Sequence, residues 1–222
     1  MDPIVWFLTG NKGKLEEAQH HFKPLGFEVR QLNVPEGTIV EPQAIDLHEV
    51  AQAKIAQALK HLPSQESMLM VEDAGLFVDA LNGFPGVYSA YALDTIGCQG
   101  MLKLLSHLDS EDPVQSKSLR ACSFQAVAAF WNGSKVLFGH GACPGSIASH
   151  QDGEDGFGFD PIFVPLDLDE HGEPVEGGGL GVLSTHGKTF AAVGLEEKHA
   201  FSHRRRALED LLRQLPTKVL ED

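Results

Sequence analysis

The sequence predicts an α/β fold in which a long mixed β-sheet is flanked by helices. Apolar segments of strand length alternate with amphipathic, helix-like segments through the first third of the chain. This order is typical of parallel strands joined by helical crossovers. Later, two long apolar segments flank Trp131-Asn132-Gly133-Ser134, which we interpret as the type I′ turn of an antiparallel hairpin. A sheet that contains both arrangements is mixed.

The first half of the chain is predicted to contain three strands and two helices. The segment from Ile4 to Leu8 is an apolar run of strand length, and a helical pattern begins at Leu15. Asp46 and Glu49 have the spacing of a capping box. The run from Met68 to Val71 is apolar enough for a buried strand. The predicted elements are strand 4–8, helix 13–22, strand 27–32, helix 46–60, strand 68–72 and a short extended segment at 76–80.

The second half is predicted to combine the hairpin with a helical C-terminal region. Ser202 is a good N-cap residue, so we expect that region to break near Ala200 and a new helix to begin there. Asp167 to Gly187 is acidic and then glycine-rich, and we predict it to be a surface insertion. The predicted elements are helix 96–107, strands 118–131 and 135–143, a strand near 161–164, and helices within 195–215.

The composition indicates one globular domain spanning 1–222. Hydrophobic residues make up 42% of the chain and charged residues 22%. The net charge of −14 argues against a DNA or RNA partner, although a small polyanionic substrate needs only a local basic pocket. No apolar run is long enough for a membrane span, and no signal peptide is visible. The three cysteines lack C-x-x-C spacing, so we expect reduced thiols and a cytoplasmic protein.

Two acids, Glu72 and Asp73, lie at the end of the predicted strand 68–72, where it should emerge from the core. Burying adjacent carboxylates costs several kcal/mol per charge, so a cation or hydrogen bonds must compensate. The pair therefore indicates bound Mg²⁺ or a base that activates water. A strand-end turn with solvated acids is the alternative.

A second charged segment, Thr9-Gly10-Asn11-Lys12-Gly13-Lys14, lies between the first predicted strand and helix. A glycine-rich turn that leads from a strand into a helix offers backbone N–H groups and a positive dipole end to a phosphate. The segment is not a Walker A loop, because its spacing is too short and Leu15 stands where Ser or Thr would bind metal. An ordinary strand-to-helix turn with two surface lysines is the alternative.

Two further segments have the residues of a pocket for a flat ring. Phe157-Gly158-Phe159-Asp160 could stack aromatic rings on a ligand while Asp160 accepts a hydrogen bond from a base edge. His203 and Arg204 would lie in the first turn of the new helix, directed at an anion or a polar ring. The alternatives are a tight turn with both Phe side chains in the core and an exposed basic helix start.

Two common classes of hydrolase are excluded. His48-Glu49 begins like the zinc motif H-E-x-x-H, but Gln52 occupies the second histidine position. The chain has no G-x-S-x-G motif, and Cys143 precedes Pro144 without a visible base. Covalent nucleophilic catalysis is therefore unsupported.

These segments together resemble the inosine/xanthosine triphosphate pyrophosphatase family. The resemblance rests on TGNKGKLEE at 9–17, VEDAGLFVDALNGFPGVYSA at 71–90, FGFDPIF at 157–163, KTFA at 188–191, EEK at 196–198 and SHRRRAL at 202–208. It implies a long mixed sheet in two lobes around a central cleft, and usually a homodimer. It also implies Mg²⁺-dependent cleavage of non-standard purine nucleoside triphosphates to the monophosphate and pyrophosphate.

The resemblance also implies roles for individual residues. Asp73 resembles the metal-binding, base-like carboxylate, and Glu41 its metal partner, with Glu36 as the alternative. The residues that resemble triphosphate contacts are Thr9, Asn11, Lys14, Lys54 and Lys198. Those that resemble the base pocket are Phe157, Phe159, Asp160, His203 and Arg204. From the same motifs we assign Gly10, Lys12, Gly13, Ala74 and Gly158 to substrate binding.

The sequence thus predicts water attack at the α-phosphate of inosine triphosphate (ITP), its deoxy form (dITP) or xanthosine triphosphate (XTP). Such an activity would remove non-standard nucleotides from the precursor pool. Two alternatives remain open: a nucleotide sensor that binds without cleaving, and a pyrophosphatase for modified pyrimidine triphosphates.

Overall fold

The computed structural model describes residues 2–64, 67–177 and 179–215. The strands are β1 (Ile4–Leu8), β2 (Glu28–Gln31), β3 (Met68–Val78), β4 (Ala121–Trp131), β5 (Val136–Ile147) and β6 (Phe163–Pro165). The helices are α1 (Lys12–Phe22), α2 (Leu47–Ala58), α3 (Ser89–Thr95), α4 (Gly97–Leu104), α5 (Pro113–Leu119), α6 (Leu195–Phe201) and α7 (His203–Leu212).

The described strands form a six-stranded sheet in the order β2-β1-β3-β4-β5-β6. β1 lies parallel to both β2 and β3, and Leu8 pairs with Val71. β5 and β6 are antiparallel, with Ile147 opposite Phe163. The predicted α/β class with a mixed sheet and flanking helices is therefore confirmed. No described helix combines the length and the apolar character that a membrane span requires.

The described chain divides into two compact units, each with its own core. Unit 1 comprises the described parts of Met1–Ala74, Ala126–Gly141 and Arg204–Asp222. Its core includes the buried rings of Phe7, Phe22 and Phe130 together with Leu211. Unit 2 comprises Gly75–Gln125 and the described part of Ala142–His203. Its core includes Leu76, Met101, Phe163, Phe190 and Phe201. The prediction of a single domain stays a prediction.

Several predicted element boundaries differ from the observed ones. β3 continues to Val78, so the predicted strand 68–72 and the extended segment 76–80 belong largely to one strand. α3 and α5 were not predicted, and β4 begins only at Ala121 because α5 occupies 113–119. The capping interaction at Asp46 is confirmed, since its carboxylate accepts the backbone N–H of Glu49 at 2.8 Å.

The predicted type I′ turn between β4 and β5 is wrong. That turn needs positive φ at both central residues, and of Asn132 and Gly133 only Gly133 has it, at 93°. The Asn132 side chain instead accepts hydrogen bonds from the backbone N–H groups of Ser134 and Lys135, both at 3.0 Å. These local bonds favour a different turn.

The C-terminal helical region breaks as predicted. α6 ends at Phe201, Ser202 has extended backbone, and α7 begins at His203. The prediction of a surface insertion at 167–187 needs correction at its ends. Leu168 lies in the core of unit 2 and Thr185 is buried, whereas Leu180 is 91% exposed. The acidic and glycine-rich composition predicted the exposure of the middle of this segment correctly. Its ends are held in the fold, because Leu168 exchanges backbone hydrogen bonds with Leu183.

Gly75, two residues after Asp73, is expected to tolerate no side chain. A Cβ at this position would overlap the carbonyl oxygen of Gly86. We expect Gly75→Ala to lower the free energy of unfolding by about 1–3 kcal/mol, because overpacked backbone must shift. Urea denaturation measures this loss. A variant within about 0.5 kcal/mol of the unsubstituted protein, the range of neutral surface changes, would contradict the close approach.

Candidate active site

The register of the parallel strands brings the glycine-rich turn and the two acids together in unit 1. Because Leu8 pairs with Val71, the residues after β1 lie beside Glu72 and Asp73. In α/β sheets, ligands bind beyond the carboxyl ends of parallel strands. The sheet therefore places these groups where a ligand site is expected.

The turn after β1 is organised by its own side chains. The Thr9 hydroxyl accepts the backbone N–H of Asn11 at 3.1 Å. Asn11 is the N-cap of α1, and its side-chain oxygen accepts the backbone N–H of Lys14 at 3.2 Å. Gly10, Lys12 and Gly13 complete the turn, and all three are exposed. The turn thus leads into the N-terminus of the eleven-residue helix α1. The backbone N–H groups at a helix N-terminus favour binding of an anion.

Glu72 is a buried carboxylate held by two cations. Its side chain is 3% exposed. Lys14 Nζ lies 2.8 Å from Oε2, and Arg204 Nε lies 3.5 Å from Oε1. Burial by itself would raise the pKa of Glu72, but the charges of Lys14 and Arg204 outweigh burial and hold that pKa below its ordinary value. Glu72 therefore stays ionised. Arg204 also contacts Glu17 Oε2 at 3.4 Å.

Asp73 and Glu41 share the ammonium group of Lys54. Lys54 Nζ lies 2.8 Å from Asp73 Oδ2 and 2.6 Å from Glu41 Oε1. Burial raises the pKa of Asp73 above its ordinary value even though Lys54 opposes this. Burial lowers the pKa of Lys54, but Asp73 and Glu41 outweigh it and hold that pKa above its ordinary value. Two carboxylates thus converge on one position that a cation occupies.

Glu36 and Glu41, the alternative metal partners of Asp73, line the same cavity of unit 1. This cavity has a volume of about 320 Å³ and is also lined by Thr9, Gly10 and Lys54. Of the two glutamates, Glu41 is the one that shares Lys54 with Asp73 among the described contacts. No group of three or more His, Cys, Asp or Glu side chains within the described ranges is arranged to hold a metal ion.

A second group of predicted site residues lies in unit 2 around Asp160. This side chain is nearly fully buried, and its Oδ2 accepts the backbone N–H of Phe157 at 2.8 Å. Lys198 Nζ donates to the same oxygen at 2.5 Å. Lys198 also lies over the Phe157 ring, 4.7 Å from its centroid. The loop requires a glycine at position 156. Its backbone φ is 85°, and a Cβ at this position would clash with the Asp160 carboxylate.

The two phenylalanines of this loop have different environments. Phe159 is buried in the core of unit 2, whereas Phe157 is 49% exposed. The alternative prediction of a turn with both rings in the core thus holds for Phe159 alone. His203 stacks on Phe124 with ring centroids 5.1 Å apart and planes at 13°. His203 is itself buried, so Phe157 is the more exposed of the two rings and the one open to a flat ligand.

Some predicted site residues lie in a different group from the one expected. Lys198, predicted as a triphosphate contact, is paired with Asp160 of the predicted base pocket. Arg204, predicted in that pocket, contacts Glu72 in unit 1. Ala74 directly follows Asp73 in β3 and is half-buried, and Gly158 lies in the Phe157 loop with φ of 68°. Sequence reasoning missed Glu17, although it ends the segment TGNKGKLEE, because its contact with Arg204 depends on the tertiary fold. It also missed Phe124, which lies in no motif.

Comparison with known proteins finds similar chains of nearly the same length. The model of the Ham1 family matches residues 5–214. The chain is 41% identical over 204 residues to the dITP/XTP pyrophosphatase of Thermococcus kodakarensis, and the match covers 92% of each protein. It is 37% identical over 206 residues to the dITP/XTP pyrophosphatase of Methanopyrus kandleri, again covering 92% of each.

Solved structures resemble the whole described fold. The HAM1 protein of Coxiella burnetii has a TM-score of 0.71 at 28% identity, covering 94% of this chain and 96% of that one. The nucleoside-triphosphatase / dITP/XTP pyrophosphatase of Mycobacterium abscessus has a TM-score of 0.67 at 31% identity, covering 94% of this chain and 98% of that one.

Proposed function

The chain belongs to the Ham1 family, and we propose that it hydrolyses non-standard purine nucleoside triphosphates. The substrates are ITP, dITP and XTP, and the products are the nucleoside monophosphate and pyrophosphate. The observation that carries this proposal is the convergence of Asp73 and Glu41 on Lys54, beside the turn that follows β1. This arrangement suits a metal-bound polyphosphate, and the enzyme is accordingly a nucleoside triphosphate pyrophosphatase.

The triphosphate is assigned to the charged residues of unit 1. Lys14 and Lys54 supply positive charge, which would offset the charge that develops as pyrophosphate leaves. The turn from Thr9 to Lys14 supplies backbone N–H groups at the start of α1. The family resemblance assigns Lys198 as a further phosphate contact. Its hydrogen bond to Asp160 supports an additional role in shaping the loop that contains Phe157.

Mg²⁺ fits the carboxylates of unit 1. Asp73 and Glu41 already share one cation, the Lys54 ammonium, so their oxygens converge as metal ligands must. Mg²⁺ is commonly held by one or two carboxylates and completes its shell with water and substrate phosphates. When bound, Mg²⁺ would neutralise the phosphate oxygens and polarise the bond that breaks.

Asp73 is assigned the role of orienting or deprotonating the attacking water. This role follows from the family resemblance, and the position of Asp73 beside the turn after β1 supports it. Lys54 fixes the orientation of Asp73 through the contact at 2.8 Å. Water attacks the α-phosphate, so no covalent intermediate is required.

The purine base is assigned to Phe157, Phe159, Asp160, His203 and Arg204. Phe157 is the exposed ring of its loop, and Asp160 is buried with its carboxylate occupied by two donors. Hypoxanthine and xanthine have a 6-oxo acceptor where adenine has an amino donor. Arg is only a donor, so a hydrogen bond from Arg204 to the 6-oxo group would be lost with adenine, at about 1–3 kcal/mol.

Three further properties complete the proposal. We propose that the enzyme is a homodimer, on the family resemblance, and that it acts in the cytoplasm. The three cysteines, all within the described residues, are not joined in disulfides, which supports a reducing compartment. Substrates are small nucleotides, and the net charge of −14 disfavours nucleic-acid polymers.

A substrate panel tests the function. With Mg²⁺, ITP and XTP should give pyrophosphate, with kcat/KM at least about tenfold above that for ATP, since each lost hydrogen bond costs about 1–3 kcal/mol. GTP, which shares the 6-oxo group, should be the harder nucleotide to exclude. Binding of ITP without turnover would favour the sensor, and preference for modified pyrimidine triphosphates would favour the other alternative. Asp73→Asn serves as the inactive control.

A further inference from the structure

Glu72 has no role in the proposed chemistry, although it is the most buried of the described acids of unit 1. It lies next to Asp73 in β3, and its side chain is 3% exposed. Neither of its oxygens has a well-aligned hydrogen bond among the described residues. The carboxylate is therefore stabilised mainly by the charges of Lys14 and Arg204, at 2.8 and 3.5 Å.

The contact between Glu72 and Lys14 joins two distant parts of the chain. Lys14 lies in the first turn of α1, fifty-eight residues before Glu72. Its Nζ is 2.8 Å from the Glu72 carboxylate and 3.3 Å from the Glu72 backbone oxygen. A lysine side chain is otherwise flexible and loses rotamer entropy when it is fixed. Two contacts to one residue of β3 therefore give the ammonium a defined position before any ligand arrives.

We propose that Glu72 is a positioning residue that holds Lys14 in place for the triphosphate. This inference rests on the proposed function, because Lys14 is a phosphate ligand only if a polyphosphate binds. Arg204 contacts the other oxygen of the same carboxylate, so the position of Glu72 does not depend on Lys14 alone. Glu72 itself does not touch the reacting atoms.

A purely structural ion pair would behave differently. Loss of such a pair lowers stability and the fraction of active enzyme, which reduces kcat and leaves KM unchanged. Loss of a positioning contact weakens binding of the phosphate chain, which raises KM with little change in kcat. Inorganic pyrophosphate has no base, so its inhibition constant reports the phosphate contacts alone.

The experiment compares Glu72→Gln with the unsubstituted enzyme in ITP hydrolysis. We expect KM and the pyrophosphate inhibition constant to rise at least about tenfold together, while kcat falls less than about threefold. In a Lys14→Met background the same substitution should change the inhibition constant less than about twofold, because its partner is gone. Glu16→Gln, at an exposed position of α1, is the matched control and should change neither constant.

Three outcomes would overturn the inference. The first is an unchanged inhibition constant in Glu72→Gln with only stability reduced. The second is an equal effect of Glu72→Gln with and without Lys14. If Glu72→Gln fails to fold, Glu72→Asp replaces it and should recover KM to within about threefold of the unsubstituted enzyme. Failure of Glu72→Asp to fold or to recover is the third. An unsubstituted enzyme that releases no pyrophosphate from ITP would instead refute the proposed function.

Discussion

Asp73→Asn is expected to lower kcat for ITP at least about 100-fold while the protein stays folded. The substitution removes a charge that we assign to both the metal and the attacking water. Asparagine is nearly isosteric, and the side chain of Asp73 keeps some exposure, at 17%. In this variant the ammonium group of Lys54 would still have an acidic partner, because Glu41 lies 2.6 Å from it.

Steady-state kinetics and a thermal melt together measure this effect. Asp94→Asn is a suitable control, because Asp94 is an exposed acid of α3 in unit 2. It should retain full activity. A folded Asp73→Asn enzyme within about threefold of the original kcat would remove Asp73 from the chemistry, since general-base groups contribute about 10²–10⁴.

Asp160→Asn is expected to lower kcat/KM for ITP by about 10–100-fold. The substitution removes the charge that holds Lys198 and leaves only an amide oxygen for the N–H of Phe157. A hydrogen bond to a charged group contributes about 1.5–3 kcal/mol, and each 1.4 kcal/mol corresponds to a factor of ten. The loop would lose both its shape and its fixed lysine.

The kinetic measurement is paired with urea denaturation. Asp155→Asn, an exposed position in the preceding turn, is the matched control and should behave like the original enzyme. If Asp160→Asn loses stability but keeps kcat/KM for folded enzyme, Asp160 supports only the fold of unit 2.

The sequence was informative where short segments combine local structure with chemistry. The turn from Thr9 to Lys14 follows an apolar run, so its place at the end of β1 could be predicted. Glu72 and Asp73 also follow an apolar run, but the strand end predicted there is wrong, because β3 continues through both acids to Val78. Parallel pairing of β1 and β3 brings the turn and the acids together. The break before α7 was predictable because Ser202 suits a helix start.

Contacts that depend on the tertiary fold were not predictable. Glu41 and Glu36 are equivalent as residue types, and only the path of the chain before α2 brings Glu41 to Lys54. Arg120 is buried and donates to the carbonyl groups of Leu105 and Ile147, although arginine usually indicates surface. The ring of Phe124 beneath His203 likewise has no signature in the sequence.

Hydrolysis of ITP in H₂¹⁸O with Mg²⁺ tests the central claim most directly. Mass spectrometry of the products identifies both the bond that breaks and the phosphorus that water attacks. Attack at the α-phosphate predicts pyrophosphate without label and inosine monophosphate carrying one heavy oxygen. Label in pyrophosphate, or release of orthophosphate with accumulation of inosine diphosphate, would contradict the assignment of Asp73 and its neighbours to that attack.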